Sequence, residues 1–156
     1  MDALRLETEH VAPSDPRLTP LFQRHLRLMR ASSPACSVHA MDADALVAAD
    51  VEFFAVFHAG RAVAMGALRP IAADHVELKS MHVVEEARGR GLARALLCRL
   101  LDEARSRGMT RVSLETGAQP VFAPARALYR SQGFHDCPPF DGYQLDPNSA
   151  FMTRVL

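Results

Sequence analysis

The chain has 156 residues, 49% hydrophobic and 23% charged, which points to one domain over residues 1–156 with a core of its own. Its 18 basic side chains are balanced by 18 acidic ones, which argues against a polybasic binder of nucleic acid or of an anionic membrane. The charge is unevenly spread: seven arginines fall between Arg88 and Arg111 against Asp102 and Glu103, an excess that suits a small polyanion better than a long polymer.

Residues 1–10 alternate charged and apolar side chains, unlike a secretory leader, and no apolar run approaches the roughly 18 residues of a membrane-spanning helix. Leu4, Leu6 and Thr8 read as a first strand. Leu21, Phe22, Leu26 and Met29 recur at helical spacing and predict a helix over 17–31, which Ser32-Ser33-Pro34 ends. A second short helix is expected over 42–49 with Asp42 as its N-cap. Residues 51–58 and 61–68 read as strands around the turn Ala59-Gly60. After the break at Pro70 and residues 72–74, another strand runs over 75–84, so these three form an antiparallel meander.

Leu92, Ala95, Leu96, Leu100 and Leu101 mark an amphipathic helix over 91–107, with Gly108 placed to terminate it. Residues 111–116 alternate as a strand, and a helix over 123–132 carries Pro124 in its first turn. Phe134 opens an extended segment, a Pro/Asp/Gly-rich loop spans 137–148, and a last strand spans 151–156. The order β-α-α-β-β-β-α-β-α-β-β predicts an α/β fold built on a mixed, mostly antiparallel sheet. Cys36, Cys98 and Cys137 have neither disulfide-framework nor zinc spacing, and the seven histidines show no metal pattern, so a reduced cytoplasmic protein without a metal is expected. Cys98 reads as core.

The chemistry is concentrated in Glu77-Leu-Lys-Ser-Met-His-Val-Val84 and the turn Arg88-Gly-Arg-Gly-Leu-Ala-Arg94 behind it. A strand enters a glycine-rich turn that opens a helix, whose free N–H groups and positive dipole end favour an anion. The dipole contributes about 0.3–1 kcal/mol, and charge-assisted N–H bonds about 1.5–3 kcal/mol each, enough to hold a pyrophosphate. Arg94 follows Ala93 where a dinucleotide fingerprint needs its third glycine, and the Gly-Lys-Ser/Thr of a P-loop is missing. An ordinary glycine-capped turn remains the simplest alternative on this motif alone.

The flanks carry a resemblance. Arg88-x-x-Gly91-x-Ala93 after an apolar strand resembles the acetyl-CoA motif of the GNAT acetyltransferase superfamily, and Ala127-Leu-Tyr129-x-x-x-Gly133-Phe134 resembles its closing helix. Glu77-Leu-Lys-x-Met81 and Tyr143-x-x-Asp-Pro-x-Ser-x-Phe-Met152 look like stand-alone bacterial members of undefined substrate. The resemblance implies a GNAT fold of six to seven strands, splayed between the fourth and fifth, with about four flanking helices. It implies acetyl-CoA as co-substrate, its pantetheine arm along the backbone of Met81, His82 and Val83 near a bulge. The pyrophosphate would lie in the turn of Arg88, Gly89, Arg90, Gly91, Leu92, Ala93 and Arg94.

By the same resemblance Tyr129 protonates the departing thiolate. Glu77 stands where some members place a general base; as alternatives it forms a surface pair with Lys79 or only orients substrate. Strand alternation would put Glu77, Lys79, Met81 and Val83 on one face. Many members carry an asparagine seven residues before the tyrosine; Phe122 stands there, and that role is not carried over. The acceptor pocket would draw on His25, Arg30, Ser37 and His39, and on Tyr143, Asp146 and Ser149. The implied activity is acetylation of the primary amine of a small molecule, an amino acid or similar metabolite. A protein lysine or N-terminal amine as acceptor, and a CoA-binding module without turnover, are the alternatives. A homodimer through the C-terminal strands would use Phe151 and Val155.

Overall fold

The computed structural model describes residues 8–34 and 50–156. Its strands are β1 (Thr8–Val11), β2 (Glu52–His58), β3 (Arg61–Pro70), β4 (His75–Val83), β5 (Arg111–Gly117), β6 (His135–Asp136) and β7 (Ser149–Val155). Its helices are α1 (Thr19–Ser32), α2 (Leu92–Ser106) and α3 (Ala123–Ser131). The expected helix over 42–49, the strand residues Leu4 and Leu6, and the pocket candidates Ser37 and His39 lie outside the described residues. No helix among those described is long and apolar enough to cross a membrane.

The seven strands form one sheet in the order β1-β2-β3-β4-β5-β7-β6. The first four make the antiparallel meander, β4 and β5 are parallel with α2 as their crossover, and β7 pairs antiparallel with both β5 and β6. The run Phe53-Phe54-Ala55-Val56 shows why the sheet is covered on both faces, since successive side chains point oppositely. Phe53 and Ala55 join Leu21 and Phe22 of α1, whereas Phe54 and Val56 join Leu96 and Leu100 of α2. Burial on both sides makes such a strand read as continuously apolar.

On α2 the buried stripe is Leu92, Leu96, Leu97, Leu100, Leu101 and Ala104, so Leu97 replaces the expected Ala95. Cys98 falls on the opposite side and is exposed, which corrects its reading as core. The strand β3 runs through to Pro70 as its last residue, a position where the missing N–H is tolerated. Phe151 is buried against Tyr143 and Phe140 and is not a surface contact, while Val155 is 60% exposed.

Two departures from ideal pairing reassign the faces of the sheet and open it. In the first, Met65 pairs with His82 and Ala67 with Lys79, so Gly66 alone faces Ser80 and Met81, a β-bulge with Ser80 at φ 56°. One extra residue sends every later side chain to the other face. Met81 therefore packs with Val76 and Leu78 over α2, and His82 joins Glu77 and Lys79 beneath α1, which corrects the alternation expected from sequence. Gly66 lets the strands approach: a Cβ there would lie 2.6 Å from Met81 Sδ and 2.7 Å from Leu100 Cδ1. We expect Gly66→Ala to lower unfolding free energy by about 1–3 kcal/mol, read by thermal and denaturant melts. An unchanged melt would mean the bulge tolerates the added methyl. The second departure is that β4 and β5 stay paired only from His75↔Arg111 to Leu78↔Leu114. Past that point they diverge, and the sheet opens into a V.

Candidate active site

The V holds two adjoining cavities. The larger, about 390 Å³, lies between the open half of β4, the turn after it, and α3. The smaller, about 110 Å³, lies deeper, between β4, β5, α1 and the 137–148 loop. Both are lined by Met29, Met81, Phe122, Ala125 and Tyr129, so the two spaces meet at these side chains.

The turn shapes the outer end of the larger cavity. Gly91 adopts φ 75° as the N-cap of α2 and has no side chain to satisfy the helix start. The first N–H groups of the helix therefore lack intrahelical partners and are free for an outside acceptor. A Cβ on Gly89 or Gly91 would meet no protein atom within 4 Å, so the space over the turn is open. Arg88, Gly89, Gly91, Leu92, Ala93 and Arg94 line the cavity together with Met81, His82 and Val83, whereas Arg90 is exposed outside its wall. The remaining arginines of the basic stretch are largely tied up elsewhere. Arg99, Arg105 and Arg107 pair with Asp102 and Glu103 on α2, and Arg111 bonds Thr153. The anion-suited charge thus narrows to the mouth of the turn.

Tyr129 stands where the cavities join. Its side chain packs edge-on against Phe134 at 5.8 Å, and it is 6% exposed. Its hydroxyl has no hydrogen-bond partner among the described residues. Burial holds the phenol well above the ordinary tyrosine range, so it stays protonated and is a donor. Phe122, buried at the start of α3, forms an apolar wall to both spaces.

The smaller cavity is polar at its far end. Glu77 is 1% exposed, so the surface pairing with Lys79 expected as one alternative is instead a buried one. Glu77 Oε1 accepts from Arg69 Nη1 at 3.1 Å, and Oε2 accepts from the Tyr143 hydroxyl at 2.7 Å, with Lys79 Nζ at 3.6 Å. Lys79 Nζ also donates to the Tyr143 oxygen at 3.1 Å, and Arg69 reaches Asp141 at 2.5 Å. Burial foremost, then the Glu77 charge, drives the Tyr143 phenol far above its ordinary range. Asp141 and Gly142 both have positive φ, a tight turn that aims Asp141 at Arg69 and Tyr143 at Glu77. This network tethers the 137–148 loop over the smaller cavity. Sequence reading missed Arg69, Asp141 and Asn148, and a conspicuous Asp-Gly turn was the one available signal.

Of the other pocket candidates, His25 is buried and lines the smaller cavity, whereas Arg30 is exposed away from it, and Asp146 and Ser149 support the loop. His25 Nδ1 lies 3.2 Å from His82 Nδ1, a contact no local pattern announced. Burial foremost lowers both imidazoles, His25 to about 3 with His82 and Lys79 adding to it, and His82 to about 4 with Arg88 and Arg24 adding to it. Both rings are therefore neutral near pH 7.

This architecture matches known proteins. Residues 18–134 match the family model described as the acetyltransferase (GNAT) family. An uncharacterized N-acetyltransferase of Bacillus subtilis, YsnE, is 38% identical over 140 residues, covering 90% of this chain and 93% of that one. A Klebsiella pneumoniae structure, provisionally described as an acyl-CoA N-acyltransferase, superposes with TM-score 0.79 at 27% identity over 97% of this chain and 98% of the other. A GNAT family acetyltransferase of Elizabethkingia anophelis, solved with acetyl-CoA bound, shares the fold with TM-score 0.71 at 15% identity over 97% and 98% of the two chains. With the split sheet, the β4 bulge and the glycine turn in place, the chain belongs to the acetyltransferase (GNAT) family and is an acyltransferase of N-acetyltransferase type.

Proposed function

We propose that the protein transfers an acetyl group from acetyl-CoA directly to the primary amine of a small molecule. The observation that carries this reading is the meeting of two unequal cavities at one buried, protonated tyrosine. The larger suits an extended carrier: the open backbone of Met81, His82 and Val83 accepts its arm as a strand would, and the free N–H groups and arginines of residues 88–94 take its diphosphate. Acetyl-CoA supplies a thioester whose carbonyl carbon is the electrophile. The Elizabethkingia anophelis acetyltransferase that shares the fold was solved with acetyl-CoA bound, which favours the same carrier here. The smaller cavity, roofed by the tethered 137–148 loop, fits a compact amine better than a protein chain.

Within that site Tyr129 donates a proton to the departing sulfur. Glu77, acting through a water, receives the proton that the attacking amine gives up. Holding an amine of pKa about 10.4 neutral near pH 7.4 costs roughly 4 kcal/mol, which a base beside it partly offsets. Lys79 and Arg69 keep the Glu77 carboxylate in place, and the Tyr143 hydroxyl fixes the direction of one oxygen.

Thiol release measured over a panel of amines, amino acids and peptides tests the reading, with calorimetry for acetyl-CoA. We expect heat with acetyl-CoA and faster thiol release with small amines than with peptides. Preference for peptide lysines or N-termini would make the acceptor a protein, and binding without release on any acceptor would make this a CoA-binding module. A companion variant addresses the turn. Gly91→Ala should raise the KM for acetyl-CoA several-fold while costing only about 1–2 kcal/mol of stability at its positive φ. An unaltered KM would place the diphosphate elsewhere.

A further inference from the structure

The His25–His82 contact is the feature the reaction scheme leaves unused. It joins α1 to β4 immediately after the bulge, with both rings buried, His25 on the wall of the smaller cavity and His82 on the wall of the larger. Apart from Arg88, Arg94 and Tyr129, His82 is the one polar side chain on the larger cavity's wall among the described residues. Neither ring makes another side-chain hydrogen bond among those residues, and neither is among the sealed, partnerless polar groups. Two imidazoles bonded only to each other hold a helix to a sheet less well than an apolar pair would. Their placement between two cavities calls for another reason.

Tautomer chemistry supplies it. A neutral imidazole has one N–H and one bare nitrogen. Where Nδ1 faces Nδ1, one ring donates there and leaves its Nε2 bare, and the other accepts there and carries its proton on Nε2. The two Nε2 atoms must therefore play opposite roles, one an acceptor and one a donor. An amine has N–H groups to give in either protonation state, so it calls for the bare nitrogen on His25. That choice leaves His82, which lines the larger cavity, with its N–H on Nε2. The arm of acetyl-CoA bears amide carbonyls and a thioester carbonyl, which accept such a bond.

We propose that His25 and His82 act as one hydrogen-bonding unit joining the two sites: His25 Nε2 accepts from the acceptor amine, His25 Nδ1–H donates to His82 Nδ1, and His82 Nε2–H donates to a carbonyl of the acetyl-CoA arm. No proton changes owner in this arrangement. His82 is a binding residue for the carrier, and His25 binds the acceptor amine while orienting His82. The inference rests on the assignment of acetyl-CoA to the larger cavity and the amine to the smaller.

Imidazole ¹⁵N NMR of the full chain with acetyl-CoA reads the tautomers directly, with single substitutions to assign the signals. His25 should be the Nδ1–H form and His82 the Nε2–H form; the reverse pair, or the same form at both, overturns the proposal. Kinetics give an independent reading. His82→Phe should raise the KM for acetyl-CoA about five- to tenfold, the loss of one hydrogen bond. His82→Gln should restore most of it, because its amide N–H stands near the position of the ring Nε2–H. His25→Phe should act in the same direction, His25→Asn should recover it through an N–H in the place of Nδ1–H, and the double Phe variant should be no worse than His82→Phe alone. Additive effects, or an unchanged KM in a His82→Phe protein with the parent's melting temperature, would also overturn it. Should that variant not fold, the tautomers of the parent protein decide. Failure of the parent to bind acetyl-CoA at all would instead sink the cavity assignment beneath this proposal.

Discussion

Tyr129→Phe is expected to lower kcat by about 10²–10³-fold while leaving acetyl-CoA affinity nearly intact, the scale of a lost general acid. The substitution is well suited to the question because the hydroxyl it removes has no hydrogen-bond partner among the described residues. The ring remains to pack on Phe134 and to close the core, so folding stability should stay within about 0.5 kcal/mol of the parent. Catalysis and packing are thereby separated in one residue. Calorimetry with acetyl-CoA and a melt, run beside the thiol-release assay, check both halves. Full activity in a folded Tyr129→Phe protein would remove the role, and leaving-group protonation would then have to come from solvent.

Glu77→Gln should have the second large effect, and of a different kind. Its carboxylate is 1% exposed and faces Arg69 at 3.1 Å, the Tyr143 hydroxyl at 2.7 Å and Lys79 at 3.6 Å. A neutral amide presents an N–H to groups that are themselves donors and leaves Lys79 poorly compensated. Breaking a buried ion pair costs about 3–5 kcal/mol; the low end is expected because Arg69 keeps Asp141 and is 30% exposed. Activity should fall by about 10²–10⁴ if the carboxylate takes the amine's proton. Melting temperature and rate are measured together, and the pH–rate profile separates the two causes. The acid side of the pH–rate profile should differ between parent and variant. An acid limb that survives unchanged in folded Glu77→Gln protein would reduce Glu77 to an anchor of the loop.

The contrast between these two residues shows how far a one-dimensional reading reaches. The motif around Tyr129 and the glycine turn at residues 88–94 are local: a strand end, a left-handed glycine and the first turn of a helix occupy a few consecutive positions. Glu77 was legible as a candidate, but its partners were not. Arg69 is 8 positions away and Tyr143 is 66, and only the folding of the 137–148 loop against β4 joins them. The local cue, Lys79 two residues on, suggested a surface pair and missed the burial. His25 and His82, 57 positions apart, are a clearer case, since nothing in either neighbourhood marks them as partners.

The resemblance implied a bulge near Met81, but not its place at Ser80 or its reversal of the faces that follow. A serine at φ 56° is unfavourable by itself, and a glycine or asparagine would have announced it. The conformation is imposed by the pairing of β3 with β4 on both sides of Gly66. Once imposed, it reverses the facing of Met81 and His82 and with them the composition of both cavities. Cys98 was misjudged for a simpler reason: with leucines crowding α2, hydrophobicity alone could not say which positions turn toward the sheet.

The amino-acid sequence by itself determined the order of the described strands and helices and the anion-suited turn, because each depends on residue spacing over a few neighbours. Only the tertiary structure decided where β4 parts from β5, which way His82 points, and which charges surround Glu77. Those outcomes come from register and from contacts between distant segments, where one added residue in a strand or one tethered loop changes which side chains share a space.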